Sequence, residues 1–128
     1  MSTILVVDDD KNLRRLYQAE LEAEGYRVIL AEDGKQAVKL AASESLDLIV
    51  MDIRMPEMDG LEAMARLLQD RVGLPIILNS AYSYFQENFL AWAAEAYIIK
   101  SADLSPLKEK IRAALRAQPP DQLLSRNS

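Results

Sequence analysis

The stretch ILVVDDD (residues 4–10) decides the fold, because a short apolar run followed at once by acids is typical of a buried strand in a parallel sheet. Two further stretches have the same form, LIVMD (residues 48–52) and YIIK (residues 97–100). Parallel strands end at one edge of a sheet, and open α/β sheets bind ligands in the crevice beyond that edge. The three carboxylates of Asp8, Asp9 and Asp52, with only Lys100 to offset them, indicate a pocket for a divalent cation and for chemistry on phosphate.

The composition excludes several classes of function. The 128 residues, half of them apolar, allow one domain with a hydrophobic core. A net charge of −5, without a basic helix after the last strand, argues against direct binding of nucleic acid. The chain has no cysteine and no histidine, which excludes disulfides, thiolate and imidazole metal ligands and the Ser-His-Asp triad. No signal peptide or membrane-spanning run is visible, so we predict a cytoplasmic protein without membrane partners.

Strand-like runs alternate with segments of helical period five times along the chain. This alternation predicts a flavodoxin-like, doubly wound α/β fold: a five-stranded parallel sheet of order 2-1-3-4-5 with five helices. The second strand, over residues 26–31, shows the partial polar alternation of an edge strand. We predict one domain over residues 1–118. The polar residues 119–128, which begin with two prolines, are expected to form a flexible tail or linker stub.

Apolar residues at helical spacing predict the buried faces of the helices. The first helix is expected to bury Leu13, Leu16, Tyr17 and Leu21, and the fourth Phe85, Phe89 and Trp92. In the last helix, Ser105 is expected to be the N-cap, with Pro106 at the first helical position.

Four segments together resemble the receiver domains of two-component response regulators. They are ILVVDDD (residues 4–10), MDIRMPEMDG (residues 51–60), Ser80-Ala81 and YIIK (residues 97–100). Each segment is a weak signal alone, but four in this order at strand ends are highly specific. The resemblance covers nearly the whole chain and implies a chemotaxis-receiver-like domain.

The resemblance implies that Asp52 accepts a phosphoryl group from the phosphohistidine of a partner histidine kinase or histidine phosphotransfer protein. A carboxylate can act as such a nucleophile, and phosphoryl transfer needs mainly positioning and charge stabilisation. The implied ligands of Mg²⁺ or Mn²⁺ are Asp9, Asp52 and the main-chain carbonyl of Arg54, with Asp8 acting through the cation's water. These all-oxygen ligands are the ones that such hard cations prefer.

The other positions that match the family have implied roles around the phosphoryl group. Lys100 would contact its oxygens, Ser80 would bond to it through the hydroxyl, and Tyr97 would change rotamer with Ser80. The bulky Arg54 and Tyr82, two residues beyond Asp52 and Ser80, predict slow autodephosphorylation. The chain is therefore predicted to be a phosphoacceptor switch rather than a turnover enzyme.

We predict a stand-alone receiver, since the sequence carries no visible output domain. Phosphorylation would then act by changing the binding of a downstream protein, by relaying phosphate onward or by forming a homodimer. In receivers, the face made by the fourth helix, fifth strand and fifth helix usually docks partners. Three tyrosines near this face lie outside the apolar stripe of the fourth helix: Tyr82, Tyr84 and Tyr97. Such aromatic side chains are enriched at protein interfaces.

Two positions depart from the family pattern. Many receivers follow the lysine with proline, often through a cis bond, whereas Ser101 follows Lys100 here. A trans bond is expected, because a cis bond before a non-proline residue costs about 3–4 kcal/mol. Asn79 is more polar than a buried strand end usually requires, so its amide is expected to bond within the loop or to line the pocket.

Three alternatives remain open at this point. A Mg²⁺-dependent phosphatase with an aspartyl nucleophile would use two acids spaced like Asp8 and Asp10, but 128 residues leave no room for its cap. A flavodoxin-like cofactor binder needs a hydroxyl- or glycine-rich phosphate loop, whereas the acidic run after the first strand would repel phosphate. A receiver that only binds a partner, without phosphate, would not need the full set of site residues.

Overall fold

The computed structural model describes residues 1–53, 60–70, 73–81 and 94–117. They form five strands and four helices. The strands are β1 (Thr3–Val7), β2 (Arg27–Ala31), β3 (Leu48–Met51), β4 (Ile76–Ser80) and β5 (Ala96–Ile99). The helices are α1 (Lys11–Ala23), α2 (Gly34–Ser43), α3 (Gly60–Asp70) and α4 (Ser105–Arg116).

The five strands form one parallel sheet in the order β2-β1-β3-β4-β5, which confirms the predicted topology. β1 and β3 are direct neighbours, with Val7 opposite Met51. Chain connections leave to the two sides of this pair, so the crevice expected at a topological switch point lies just beyond it. β2 lies at the edge and is only partly buried, as its alternating sequence predicted.

Each face of the sheet has its own core, because successive side chains of a strand point to opposite faces. On one face, residues such as Val6, Val50 and Ile77 pack with α1 and α4. On the other, residues such as Met51 and Leu78 pack with α2 and α3. We call these the α1/α4 face and the α2/α3 face.

The N-terminal ends of α1 and α4 differ in how they are capped. The Asp10 side chain caps α1 by accepting hydrogen bonds from the amides of Asn12 (2.9 Å) and Leu13 (3.2 Å). Ser105 is the first residue of α4 and not its N-cap, so that prediction was wrong. The Asp103 side chain accepts a hydrogen bond from the Ser105 amide at 3.0 Å, and this turn begins the helix one residue early.

Leu16 was predicted in the buried stripe of α1 but is 43% exposed. The buried face of α1 is narrower and centres on Tyr17 and Leu21. The helix expected around Phe85, Phe89 and Trp92 lies outside the described residues, as does the predicted tail. Among the described residues, no helix is long and apolar enough to cross a membrane.

Candidate functional site

Three carboxylates meet where β1 and β3 end. The β1–β3 pairing continues one step beyond β3, since the Asp52 amide donates to the Val7 carbonyl at 2.9 Å. This step brings Asp52 beside Asp8. One carboxylate oxygen from each of Asp8, Asp9 and Asp52 lies within 4.8 Å of the other two. Asp8 and Asp52 are buried, whereas Asp9 is exposed.

The Lys100 ammonium joins the two buried acids. Its Nζ lies 2.7 Å from Asp8 Oδ2 and 2.9 Å from Asp52 Oδ2. The Lys100 amide donates to the Ser80 carbonyl at 2.8 Å, which fixes the start of this side chain against the end of β4. Burial alone would lower the pKa of Lys100, but the hydrogen bonds and negative charges of Asp8 and Asp52 outweigh it and raise that pKa.

The donor set fits a hard divalent cation. Three carboxylates with one ammonium leave a net negative pocket, and the converging oxygens are the ligands that Mg²⁺ and Mn²⁺ prefer. Asp9, the exposed member, gives the cluster a side open to solvent through which a cation can enter and keep waters. The predicted carbonyl ligand, Arg54, lies outside the described residues.

Local hydrogen bonds hold Asp8 in place. Its Oδ1 accepts from the Asp10 amide at 2.9 Å, and its main-chain carbonyl accepts from Arg14 Nη1 at 2.7 Å. The Asp10 carboxylate is engaged as the cap of α1 and is not a member of the acid cluster. The acid pair at Asp8 and Asp10, on which the phosphatase alternative depended, therefore does not share the pocket.

Ser80 and Tyr97 lie on the other side of the sheet. Ser80 is fully buried at the end of β4, and its side chain follows Leu78 toward the α2/α3 face by strand alternation. Tyr97 sits opposite Leu78 in the register and packs against the same core. The peptide between Lys100 and Ser101 is trans.

The sequence missed one buried polar contact beside the acids. Asn79 Nδ2 donates a hydrogen bond of 3.0 Å to the Tyr17 hydroxyl, so the Asn79 amide does not bond within its loop. Asn79 lies within β4, which continues to Ser80. Tyr17 was predicted to be part of the apolar core. Its hydroxyl was the one sequence signal of this contact, because a tyrosine on a buried helix face, four residues before Leu21, usually needs a hydrogen-bond partner.

Burial raises the pKa of the Tyr17 hydroxyl above its ordinary value. The hydrogen bond from Asn79 and the positive charge of Lys100 act in the opposite direction, while the negative charges of Asp8 and Asp52 add to the rise. The phenol is therefore within electrostatic reach of the acid pocket.

The chain is similar to curated response regulators over nearly its whole length. Response regulator ArlR of Staphylococcus saprophyticus is 39% identical over 126 residues, which are 97% of this chain and 57% of that protein. ArlR of Staphylococcus epidermidis is 37% identical over 129 residues, 99% of this chain and 58% of that protein. The chain thus spans a little over half the length of these relatives.

Solved structures show the same fold. Response regulator TrrA from Thermotoga maritima, in complex with Mg²⁺-BeF, is 40% identical with a TM-score of 0.87, over 89% of this chain and 99% of that one. TrrA in complex with the histidine kinase ThkA is 41% identical with a TM-score of 0.85, over 90% of this chain and 99% of that one.

Residues 4–112 match the family described as the response regulator receiver domain. The match includes β1 from Ile4 onward, the other four strands, the acid cluster and Lys100. The fold, the order of the strands and the donor set at their ends agree with it. This chain belongs to the response regulator receiver domain family of two-component signalling.

Proposed function

We propose that Asp52 accepts a phosphoryl group from the phosphohistidine of a partner histidine kinase or histidine phosphotransfer protein. The observation that carries the proposal is the position of Asp52, buried at the end of β3 with the Lys100 ammonium 2.9 Å from its Oδ2 and two further carboxylates beside it. The relative TrrA is known in complex with a histidine kinase, which supports this class of donor.

In the transfer, an oxygen of Asp52 forms a bond to phosphorus as the bond from phosphorus to the partner's imidazole nitrogen breaks. The electron pair of that bond stays on the imidazole, which takes up a proton from solvent. Lys100 already contacts Asp52, so its ammonium is placed to bind the oxygens that the phosphoryl group brings. Asp8 holds Lys100 from the other side at 2.7 Å and keeps its side chain from leaving the pocket.

A divalent cation, Mg²⁺ or Mn²⁺, held by Asp8, Asp9, Asp52 and the main-chain carbonyl of Arg54 would supply further positive charge against the transferred oxygens. The chain itself contains no histidine, so a phosphohistidine donor would lie outside these 128 residues. The chain then acts as a switch with self-catalysed transfer and slow autodephosphorylation.

The proposed output is a change in protein binding at the face formed by β5, the final helix α4 and the helix predicted before β5. Ser80 would bond the phosphoryl group, and Tyr97, beside the same core on the α2/α3 face, would change rotamer with it. Such a local charge event can bias a remote surface between two packings. The receiver domain over residues 1–118, with a downstream protein target or a homodimer as its output, is part of this proposal.

Intact-mass spectra after incubation with acetyl phosphate and Mg²⁺ test the acceptor. The wild type is expected to gain one phosphoryl group, and Asp52→Asn is expected to gain none. Asp47→Asn is the matched control, because Asp47 binds the Thr3 amide at the opposite edge of the sheet. A gain that persists in Asp52→Asn, or in a chelated sample, contradicts the proposal. The decay of the phosphorylated mass in the same sample measures autodephosphorylation.

Backbone amide chemical shifts before and after phosphorylation test the switching face. We expect changes at Ser80, Tyr97 and along α4, and little change where Thr3 and Asp47 join β1 to the loop before β3. Unchanged shifts in β5 and α4 of a fully phosphorylated sample would rule out this output face.

A further inference from the structure

Tyr17 and Asn79 form a polar contact inside the α1/α4 core. The Asn79 Nδ2 group donates to the Tyr17 hydroxyl at 3.0 Å, and the two residues are only 3% and 2% exposed. The contact joins α1 to the end of β4, two elements that are 62 residues apart along the chain. Burying an amide and a phenol is costly unless they are paired, so a leucine and a phenylalanine would be the simpler choice for packing alone.

The strand register places this contact beside Asp52. Val50 lies opposite Ile77, and both side chains pack on the α1/α4 face. Met51 lies opposite Leu78, and this register continued by one residue sets Asp52, just past the end of β3, level with Asn79 in β4. Because alternate residues share a face, the two side chains lie on the same side of the sheet.

The charges of the site reach the phenol as well. The pKa of the Tyr17 hydroxyl responds to Lys100, Asp8 and Asp52 in addition to burial and the Asn79 hydrogen bond. The register and the electrostatic influence on the phenol therefore both indicate that the polar contact lies near the acid pocket.

We propose that Tyr17 and Asn79 are positioning residues for Asp52, and this inference rests on the proposed phosphoacceptor function. Tyr17 fixes the direction of the Asn79 amide, so a preorganised dipole stands beside the carboxylate that gains charge on phosphorylation. The same hydrogen bond ties the end of β4, and with it Ser80, to α1. Loss of the bond lets both the amide and the strand end shift relative to Asp52.

Three variants separate positioning from stability. Tyr17→Phe removes only the hydroxyl, so the buried Asn79 amide loses the acceptor of its hydrogen bond. The double variant Tyr17→Phe/Asn79→Leu removes both polar groups at nearly constant volume, so its urea unfolding should return close to that of the wild type. Tyr26→Phe is the matched control, because Tyr26 packs against the same α1/α4 core near the far edge of the sheet, just before β2.

The rate of Asp52 phosphorylation by acetyl phosphate is the first readout. We expect a loss of about tenfold in Tyr17→Phe and in the double variant, since small displacements at a reacting centre have effects of this size or larger. Tyr26→Phe should stay within about twofold of the wild type. A double variant that is as stable and as fast as the wild type would show that the contact is only structural and would overturn the inference.

The side-chain amide signals of Asn79, followed by NMR during titration with Mg²⁺ alone, are the second readout. We expect them to shift in the wild type and to shift less in Asp52→Asn. If the Asn79 amide signals do not shift when Mg²⁺ is added, the position of Asn79 at the acid pocket is contradicted. If the wild type takes no phosphoryl group while these signals still respond to Mg²⁺, the proposed phosphoacceptor function is contradicted. The position of Asn79 at the acid pocket would then still be supported.

Discussion

The two faces of the sheet differ most where the strands end. On the α1/α4 face this edge carries the charges, with Asp8 and Asp52 bridged by Lys100. On the α2/α3 face the same edge carries the buried hydroxyl of Ser80 and the aromatic ring of Tyr97 within an apolar core. Strand alternation thus gives one face the acids and the lysine proposed to hold the phosphoryl group. It gives the other face the Ser80 hydroxyl proposed to bond to that group and the ring proposed to change rotamer.

The comparison also separates two sources of stability. The α2/α3 core is held by apolar burial, which is insensitive to pH and cation. The edge of the α1/α4 face is held by the Lys100 ammonium between the buried carboxylates of Asp8 and Asp52. Its contribution to stability therefore depends on the charges of these three groups. Substitutions on the α1/α4 face should therefore change both the free energy of unfolding and the phosphorylation rate, whereas those on the α2/α3 face should change mainly the free energy of unfolding.

Removal of the Lys100 charge is expected to have the largest effect. Lys100→Met leaves two buried carboxylates without their shared cation, so it should lower the free energy of unfolding by about 3 kcal/mol. The phosphorylation rate should fall about 100-fold or more. Urea denaturation and intact-mass kinetics measure the two effects, and added Mg²⁺ should restore part of the stability because it binds the folded acid cluster.

Lys108→Met is the matched control for that variant. Lys108 Nζ binds Glu20 Oε2 at 2.8 Å, and both side chains keep contact with water, at 21% and 42% exposure. Ion pairs of this kind contribute little, so this variant should be much less destabilised and phosphorylated at the wild-type rate. Equal losses for the two lysines would break the distinction between the pocket and the surface.

Alkaline pH should reproduce the loss of the Lys100 charge without a substitution. Because the pKa of Lys100 is raised in the folded state, the folded protein holds this proton more tightly than the unfolded chain does. Its contribution to stability is fully present below the unfolded value of about 10.5 and is lost as pH rises from there through the folded value. The difference in unfolding free energy between wild type and Lys100→Met should be constant from pH 8 to about pH 10 and shrink above that.

On the α2/α3 face, Leu67→Ala should destabilise without impairing the chemistry. Leu67 is fully buried in the apolar core, so its truncation should lower the free energy of unfolding by about 3 kcal/mol. The rate of phosphorylation, measured at a temperature where the variant is folded, should remain within about twofold of the wild type. A large loss of rate would mean that packing on this face sets the geometry of Asp52.

The smallest effect is expected at Asp10. Asp10→Ala removes the cap of α1, and we expect a loss of about 1 kcal/mol in the free energy of unfolding. Asp10→Asn can still cap the helix and should be nearly as stable as the wild type. Both variants should be phosphorylated normally, because the Asp10 carboxylate is outside the acid cluster. Loss of phosphorylation in Asp10→Asn would revive a role for this acid in the chemistry.

The sequence predicted the fold well because its strands are apolar throughout and its acids follow them directly. The strand order followed from the β-α alternation, and the meeting of Asp8 with Asp52 followed from that order. The hydrogen bond between Tyr17 and Asn79 was not predicted, because a polar contact across 62 residues depends on helix packing that no local pattern specifies. The start of α4 was misplaced since Asp103 and Ser105 are both good local hydrogen-bonding residues.

The central claim is that Asp52, among four neighbouring acids, is the one that forms the acyl phosphate. Borohydride reduces an aspartyl phosphate to homoserine, which survives digestion and is located by tandem mass spectrometry. After phosphorylation with acetyl phosphate and Mg²⁺, we expect homoserine at position 52 and at no other position. Homoserine at Asp8, Asp9 or Asp10, with Asp52 unmodified, would contradict this claim.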